Sequence, residues 1–233
     1  MKEISTVFFD VGSTLLRPHP SVAEVCRQVF ADAGHEYELA TIEQYMPLVD
    51  QYYEDRYSEN DAFWVSEEAT SEVWVGMYSV LCDELGLHGE APVLARRVYE
   101  EFGRPDRWAL YDDVVPALDR LRARGVVIGI ISNWDTRLAG VLSGLGVGGY
   151  FADVISSAAV GLRKPDPRIF ELACARIGTD PECAAHVGDH HYADFYGARS
   201  AGMKAVLIDR SGAVVPDQTR IHSLDALEAA LGI

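Results

Sequence analysis

The sequence has few basic residues and few cysteines, and it has no long apolar run. Lys and Arg together number 20 against 36 Asp and Glu, which gives a net charge of −16. Binding to a nucleic-acid backbone needs clustered Lys and Arg, so we expect no nucleic-acid partner. No apolar run approaches the roughly 18 residues that a membrane-spanning helix requires, so we expect no membrane insertion.

The cysteines are too scattered to indicate a metal or disulfide framework. Cys26, Cys82, Cys174 and Cys183 include no C-x-x-C pair, so their spacing predicts neither a zinc site nor a set of disulfides. We expect two or three of them on buried helix faces. The chain also begins without a basic-then-apolar leader. A reducing cytoplasm is therefore the predicted location.

Five apolar runs of strand length predict a parallel sheet. The chain has 233 residues, 48% of them hydrophobic, which is enough for one core and a smaller appended domain. The runs are near-continuous, as in strands buried on both faces, and helical patterns separate the last four. Gly125 is typical of a helix end, and Asp166-Pro167 of a helix start. Strands that alternate with helices indicate an α/β fold. The predicted strands are Ile4–Phe9, Val126–Ile131, Asp153–Ile155, Ala184–Val187 and Ala205–Ile208.

The stretch from residue 18 to 108 has a different pattern, with four helical segments and no convincing strand. Ser21-x-x-Glu24 and Thr41-x-x-Gln44 fit capping boxes, and Gly34 and Gly86 fit helix ends. We interpret it as an all-helical domain over the carboxyl edge of the sheet, with residues 1–17 and 109–233 forming the core. The stretch is rich in aromatic residues, namely Tyr45, Tyr52, Tyr53, Tyr57, Trp64, Trp74 and Tyr78.

Polar residues follow several of the predicted strands, at the edge where parallel α/β sheets bind ligands. Asp10 ends the first run, and Ser132-Asn133 ends the second. Lys164 follows the third, while Asp189 and Asp194 follow the fourth. Each residue alone could be a cap or turn former. Together, carboxylates beside a hydroxyl and a lysine indicate a cation site next to an anion site.

In their order along the chain, these motifs resemble those of the haloacid dehalogenase-like (HAD) hydrolase superfamily. They are Asp10-x-Gly12-Ser13-Thr14, Ser132-Asn133, Lys164-Pro165-Asp166-Pro167 and Gly188-Asp189 with Asp194. The resemblance covers essentially the whole length, and the helical insert looks like the cap of that family. It implies a Rossmann-like parallel sheet with a helical cap. More narrowly, the chain resembles HAD domain-containing proteins whose substrates are often unknown.

The resemblance also implies a set of roles in the hydrolysis of a small phosphorylated metabolite. Asp10 would be the nucleophile that forms an aspartyl-phosphate. Asp10, the Gly12 carbonyl and Asp189 would bind Mg²⁺, with Asp194 holding its waters. Ser132, Asn133 and backbone amides near Ser13 would bind the phosphoryl group, and Lys164 would neutralise its charge.

Gly12 is a departure from that pattern, because phosphatases of the family usually carry a general-acid aspartate two residues after the nucleophile. Loss of a general acid typically costs about 10²–10⁴ in rate. We therefore expect low activity on alkyl phosphates and better activity on acyl or aryl phosphates. His19 and His190 are candidate replacements, and Trp64 is the cap aromatic most expected to face the substrate.

Two other functions remain open on the sequence. The same glycine is compatible with a phosphate-sensing or scaffold protein without useful turnover. The dehalogenase branch also lacks the second aspartate, although it does not use the metal that Asp189 and Asp194 are suited to hold. The insert is expected to open and close, with hinges near Arg17-Pro18 and Trp108-Leu110. The sequence does not predict an oligomeric state.

Overall fold

The protein is built around a six-stranded parallel sheet. The computed structural model describes residues 3–212 and 219–233. The strands of the sheet are β1 Thr6–Phe9, β4 Val127–Ser132, β5 Asp153–Ser156, β6 Ala184–Gly188, β7 Lys204–Ile208 and β8 Arg220–Ile221. Their order in the sheet is β5-β4-β1-β6-β7-β8, so β1 lies between β4 and β6. All five predicted strands are confirmed with ends shifted by no more than two residues, and β8 was not predicted.

Helices connect the strands, and a long series of them lies between β1 and β4. The first five are α1 Val22–Asp32, α2 Leu39–Glu43, α3 Met46–Glu59, α4 Glu67–Glu84 and α5 Ala91–Glu101. The others are α6 Val114–Ala123, α7 Leu138–Gly144, α8 Ser157–Val160, α9 Pro167–Ile177, α10 Gly197–Ser200 and α11 Leu227–Leu231. A π-helical turn, His191–Tyr196, leads into α10. Short 3₁₀ turns are Asp61–Val65, Pro105–Arg107, Gly148–Tyr150, Pro181–Cys183 and Leu224–Ala226.

Both faces of the sheet are buried, which explains the near-continuous apolar runs. On β1, Val7 and Phe9 belong to one core cluster together with side chains of α6, α7 and α11. Phe8, which points to the opposite face, belongs to a second cluster with Phe170 of α9. Full burial of such a side chain stabilises the fold by about 1.5–3 kcal/mol. The centre of the sheet is therefore a rigid support for the residues that follow its strands.

The predicted helix ends are mostly confirmed. The Ser21 hydroxyl accepts a hydrogen bond from the Glu24 amide at the start of α1, and Asp166 caps α9. Gly125 has φ +75° after α6. The capping box at Thr41 is wrong, because α2 already begins at Leu39 and Thr41 lies inside it. The fully buried Ile42 fixes this short helix against the helical core, and this packing outweighs the local cap pattern.

Residues 22–107 form five α-helices, one more than the sequence pattern indicated, and we call them the helical segment. They have an apolar core of their own, which includes Phe30, Leu81 and Leu94. Cys26 and Cys82 are buried in this core, and Cys174 is buried in α9, so the expected burial of helical cysteines is confirmed. Cys183 is half-buried.

A two-stranded antiparallel ribbon joins the helical segment to the sheet. It consists of β2, Leu16–Pro18, and β3, Trp108–Leu110, with Arg17 opposite Ala109. The sequence did not predict it, because three-residue strands are too short to show a period. The predicted domain boundaries fall within this ribbon. None of the described helices is long and apolar enough to cross a membrane.

Candidate active site at the carboxyl edge of the sheet

Three carboxylates from two adjacent strand ends meet at the carboxyl edge of the sheet. Asp10 directly follows β1, Asp189 follows β6, and Asp194 lies in the π-helical turn after Asp189. One ligand atom of each lies within 4.8 Å of the others. Gly188 makes this approach possible, because a Cβ atom there would collide with the Asp194 carboxyl group. The structure therefore brings together the three acids that the sequence singled out.

Lys164 links two of these carboxylates. Its side chain is 2% exposed, and Nζ donates to Oδ1 of Asp10 at 2.6 Å and to Oδ1 of Asp194 at 2.5 Å. Burial lowers the pKa of Lys164, but the two carboxylates outweigh it and hold that pKa above its usual range. Burial likewise raises the pKa of Asp194, but Lys164 and His186 bring it well below its usual value. The site therefore holds a buried ammonium and a buried carboxylate as an ion pair.

Asp10 is held through one of its two oxygens. Oδ1 accepts hydrogen bonds from Ser132 Oγ at 2.8 Å and from Lys164 Nζ. Burial raises the pKa of Asp10, and Lys164 opposes that rise. Since both donors bind Oδ1, they fix the orientation of the carboxylate.

Two predicted phosphate ligands have other partners. The Asn133 side chain accepts from the Lys164 amide at 2.8 Å and donates to the Lys164 carbonyl at 3.1 Å, so it fixes the Lys164 backbone. The Ser13 amide donates to the Leu16 carbonyl at 2.9 Å, in a turn where Ser13 has φ +54°. Phosphate binding through the Ser13 amide would require its bond to break, whereas Nδ2 of Asn133 carries a second proton that the bond to the Lys164 carbonyl does not use. Asn133 and the backbone amides near Ser13 remain predicted phosphate ligands.

The site carries more negative charge than its lysine compensates. Thr14 Oγ1 donates to Asp189 Oδ1 at 3.2 Å. Desolvation by the surrounding protein, together with the negative charges of Asp10 and Asp194, raises the pKa of Asp189 to about 7. Hard carboxylate oxygens in this arrangement suit Mg²⁺, so these residues fit such an ion. The Gly12 carbonyl remains a predicted ligand.

His186 is a buried polar residue that the sequence analysis missed. It lies on β6, and its Nε2 is 2.8 Å from Oδ1 of Asp194. Burial lowers the pKa of His186, and Asp194 opposes this. The other carboxylate oxygen of Asp194 accepts from the His190 amide at 2.9 Å. The one indication of this contact in the sequence was a histidine within an otherwise apolar, buried strand.

Comparison with known proteins assigns the family. The family model described as haloacid dehalogenase-like hydrolase matches residues 4–202. The chain belongs to this family. It is 31% identical over 234 residues to haloacid dehalogenase-like hydrolase domain-containing protein 3 of Danio rerio, with 97% of this chain and 95% of the relative covered. It is 30% identical over 218 residues to a glyceraldehyde 3-phosphate phosphatase of Methanopyrus kandleri, with 89% and 84% covered.

Solved structures of the family include both phosphatases and dehalogenases. A HAD phosphatase from Thermococcus onnurineus is 26% identical with a TM-score of 0.67, and 98% of each chain is covered. A 2-haloacid dehalogenase from Pseudomonas syringae is also 26% identical, with a TM-score of 0.66 and the same coverage. Overall similarity therefore does not separate the two chemistries, and the residues of the site must do so.

A cavity of about 530 Å³ extends from the carboxylates of Asp10, Asp189 and Asp194 toward the helical segment. Gly12 lines it, and a Cβ atom added there would lie 3.6 Å from Cζ3 of Trp134, at ordinary contact distance. Trp64 lines it as well. His190 Nδ1 accepts from the Ala193 amide and so caps the following turn. His19 is exposed and is not among the residues that line the cavity.

The helical segment is tied to the sheet beside this cavity. Glu67 of α4 accepts from the Thr136 amide at 2.9 Å and from its hydroxyl at 2.8 Å. Arg163, next to Lys164, forms an ion pair with Asp61. These contacts join the 3₁₀ turn and helix above the cavity to the loop that follows Ser132 and to the loop that carries Lys164.

Proposed function

We propose that this HAD hydrolase is a Mg²⁺-dependent phosphatase that acts on a small phosphorylated compound through an aspartyl-phosphate on Asp10. The observation that carries the proposal is the position of Asp10. Its carboxylate is oriented by Ser132 and Lys164 and lies within 4.8 Å of Asp189 and Asp194. A metal-independent reaction would not need this cluster of acids.

In the first step, Oδ2 of Asp10 forms a bond to phosphorus while the bond from phosphorus to the leaving oxygen breaks. The leaving group departs with that electron pair. Water then attacks the phosphorus of the aspartyl-phosphate, which releases inorganic phosphate and restores the Asp10 carboxylate. Lys164 and the Ser132 hydroxyl, which both contact Asp10, would stabilise charge on the phosphoryl oxygens. Asp10, Asp189 and the Gly12 carbonyl would hold Mg²⁺, with Asp194 nearby, and its positive charge would reduce the repulsion between the Asp10 carboxylate and the phosphoryl group.

The leaving group must depart without a carboxylic acid at position 12. His19 lies outside the cavity lining. His190 lines the cavity, but its Nδ1 caps the following turn, and we assign the acid role to neither histidine. The reaction therefore favours acyl or aryl phosphates, whose leaving oxygens are stable as anions. Alkyl phosphates should react about 10²–10⁴ times more slowly than they would with a positioned acid.

In this proposal the helical segment, with the few residues that flank it on each side, forms the predicted cap of residues 18–108. It moves about the β2–β3 ribbon to admit substrate and closes through the contacts of Glu67 and Arg163. Glu67→Ala removes the acceptor of both Thr136 hydrogen bonds, so faster amide hydrogen exchange is expected at Thr136. The distant turn at Gly148–Tyr150 should keep its rate. Unchanged exchange at Thr136 would contradict this role.

Gly12 also favours a second candidate, a phosphate-binding protein without useful turnover. One experiment separates it from the phosphatase and from a dehalogenase. Phosphate release from acetyl phosphate, and halide release from 2-chloropropionate, are measured with Mg²⁺ and with EDTA. The proposal expects phosphate release in the presence of Mg²⁺ and none in EDTA. The Asp10→Asn variant should release no phosphate under either condition. Asp32→Asn, at the exposed end of α1, is the matched control.

The outcomes are distinct. Binding of phosphate with no release from acetyl phosphate would favour the sensor. Halide release that survives EDTA would favour the dehalogenase. Phosphate release that persists in Asp10→Asn would overturn the proposed nucleophile.

A further inference from the structure

We infer that the preferred substrate carries an uncharged aromatic ring, so that it is a phosphate monoester of a phenol. This inference rests on the proposed function and adds the class of leaving group. It is based on the aromatic walls of the cavity, on the pairing of its cationic side chains, and on the absence of an acid at Gly12.

Aromatic side chains surround the space beyond the carboxylates. Tyr53 and Trp74, from the helical segment, stack at 6.0 Å between ring centroids with an interplanar angle of 22°. Trp108 of β3 and Trp134 of the loop after β4 form a second pair at 4.9 Å. All four line the cavity, and Trp64 and Phe102 line it too. Flat π surfaces of this kind bind another ring by offset-stacked or edge-to-face contact.

The Lys and Arg side chains described in the cavity lining are already paired, so none of them is free to bind a second anionic group. Among the described residues that line it, Lys164 and Arg137 are the Lys and Arg side chains. Lys164 is held by Asp10 and Asp194. Arg137 donates to Asp135 at 2.6 Å and to the Tyr99 carbonyl at 2.8 Å. Glu54 adds a negative charge to the lining. A substrate with a carboxylate or a second phosphate is therefore disfavoured.

The basicity of the leaving group independently favours the same class of substrate, the phosphate monoesters of phenols. A phenol has a pKa of about 10, as the tyrosine side chain does. A phenolate can therefore depart without a proton. An alkoxide needs one, because it is about as basic as hydroxide, and bulk water has a pKa of about 15.7. The missing acid at Gly12 thus matters little for an aryl ester. Trp134, which lies beside Gly12, would then contact the ring of that ester.

Binding of three phosphonates, which cannot be hydrolysed, tests the inference without reference to turnover. Benzylphosphonate has a CH₂ group in place of the ester oxygen of phenyl phosphate. Ethylphosphonate lacks the ring, and phosphonoacetate carries a carboxylate. Titration calorimetry with Mg²⁺ present should give benzylphosphonate a Kd at least about tenfold lower than that of ethylphosphonate. Phosphonoacetate should bind no better than ethylphosphonate.

Variants show whether the aromatic walls cause the preference. Trp74→Leu and, separately, Tyr53→Leu should each reduce the ratio of the ethylphosphonate Kd to the benzylphosphonate Kd by about threefold or more. Trp74→Phe should keep most of the ratio. Tyr150→Leu, outside the cavity lining, should leave it unchanged.

Turnover is measured in parallel so that the two proposals fail separately. Equal affinity for the three phosphonates, or tightest binding of phosphonoacetate, would overturn the aromatic inference even if acetyl phosphate is hydrolysed. Absence of phosphate release from both acetyl and phenyl phosphate would overturn the phosphatase while leaving the binding result to decide the ligand class.

Discussion

Gly12 faces Trp134, with 3.6 Å between Cζ3 of the indole ring and the position that a Cβ atom on the glycine would take. The distance is that of an ordinary contact, and the φ angle of Gly12 is not in the left-handed region. A side chain can therefore be introduced at position 12 without rebuilding the turn. This makes the missing acid a testable property of the site.

Gly12→Asp should raise the kcat for an alkyl ester such as ethyl phosphate by about 10²-fold, the lower end of what a positioned acid supplies. Acetyl phosphate, whose leaving group needs no proton, should gain little. Steady-state phosphate release with Mg²⁺ measures both. Gly12→Asn, which has the same shape and no acidic proton, is the control. Equal kcat values for folded Asp and Asn variants would contradict the account of Gly12.

Lys164→Met should destabilise the metal-free protein by about 3–5 kcal/mol, because it leaves Asp10 and Asp194 buried without their cation. Urea unfolding in EDTA measures the change in the free energy of unfolding. Lys204→Met is the matched control, since Lys204 donates one hydrogen bond to the Leu231 carbonyl and should cost about 1 kcal/mol. A Lys164 variant as stable as the control would contradict the ion-pair network.

Mg²⁺ should stabilise the wild-type protein, because it binds the folded cluster and not the unfolded chain. At a concentration of 100 Kd the gain is about 2.7 kcal/mol. Asp189→Asn removes one charged ligand and should weaken this gain, whereas Asp32→Asn should keep it. Melting temperatures at increasing Mg²⁺ and constant ionic strength measure the effect. A wild-type melting temperature insensitive to Mg²⁺ would argue against the metal site.

Asp113 should make the fold sensitive to acid. Its side chain accepts from Arg210 at 2.6 Å, from Ser223 at 2.7 Å and from the Leu224 amide at 2.8 Å. Burial raises the pKa of Asp113, but these hydrogen bonds outweigh it and hold that pKa below its usual value. The stabilisation is therefore fully present above the unfolded pKa of about 3.9, and is lost as the pH falls through the lower folded value.

Asp113→Asn should lower the free energy of unfolding at pH 7 by about 2 kcal/mol, and its stability should fall less steeply below about pH 4. Urea unfolding over a pH series provides the comparison. Asp106→Asn is the control, because the partner of Asp106, Arg104, is exposed and their pair is screened by water. Parallel pH curves for wild type and Asp113→Asn would contradict the prediction.

The sequence predicted the parts of the fold and site that depend on local pattern. Strands such as β1 and β6 were recognisable because burial on both faces leaves a continuous apolar run ending in an acid. Ser21 and Asp166 were recognisable as caps for the same local reason. Thr41 shows the limit of this reasoning, because the burial of Ile42, a tertiary contact, decides where α2 begins.

The parts that the sequence did not predict depend on partners distant in the chain. The β2–β3 ribbon exists only because Leu16–Pro18 meets Trp108–Leu110. The contact of His186 with Asp194 requires the turn after β6 to fold back on the strand. Asn133 has the expected position, but its side chain is bound to the Lys164 backbone 31 residues away in sequence. Such pairings follow from topology and not from residue type.

The most direct test of the central claim is to find the phosphoryl group on Asp10. The protein is mixed with Mg²⁺ and acetyl phosphate, quenched with acid within the first turnover and digested, and the peptide that contains residue 10 is examined by mass spectrometry. The account predicts one added phosphoryl group on Asp10, absent when EDTA replaces Mg²⁺. Phosphate release without any phosphorylated Asp10, or with the phosphoryl group on another residue, would contradict it.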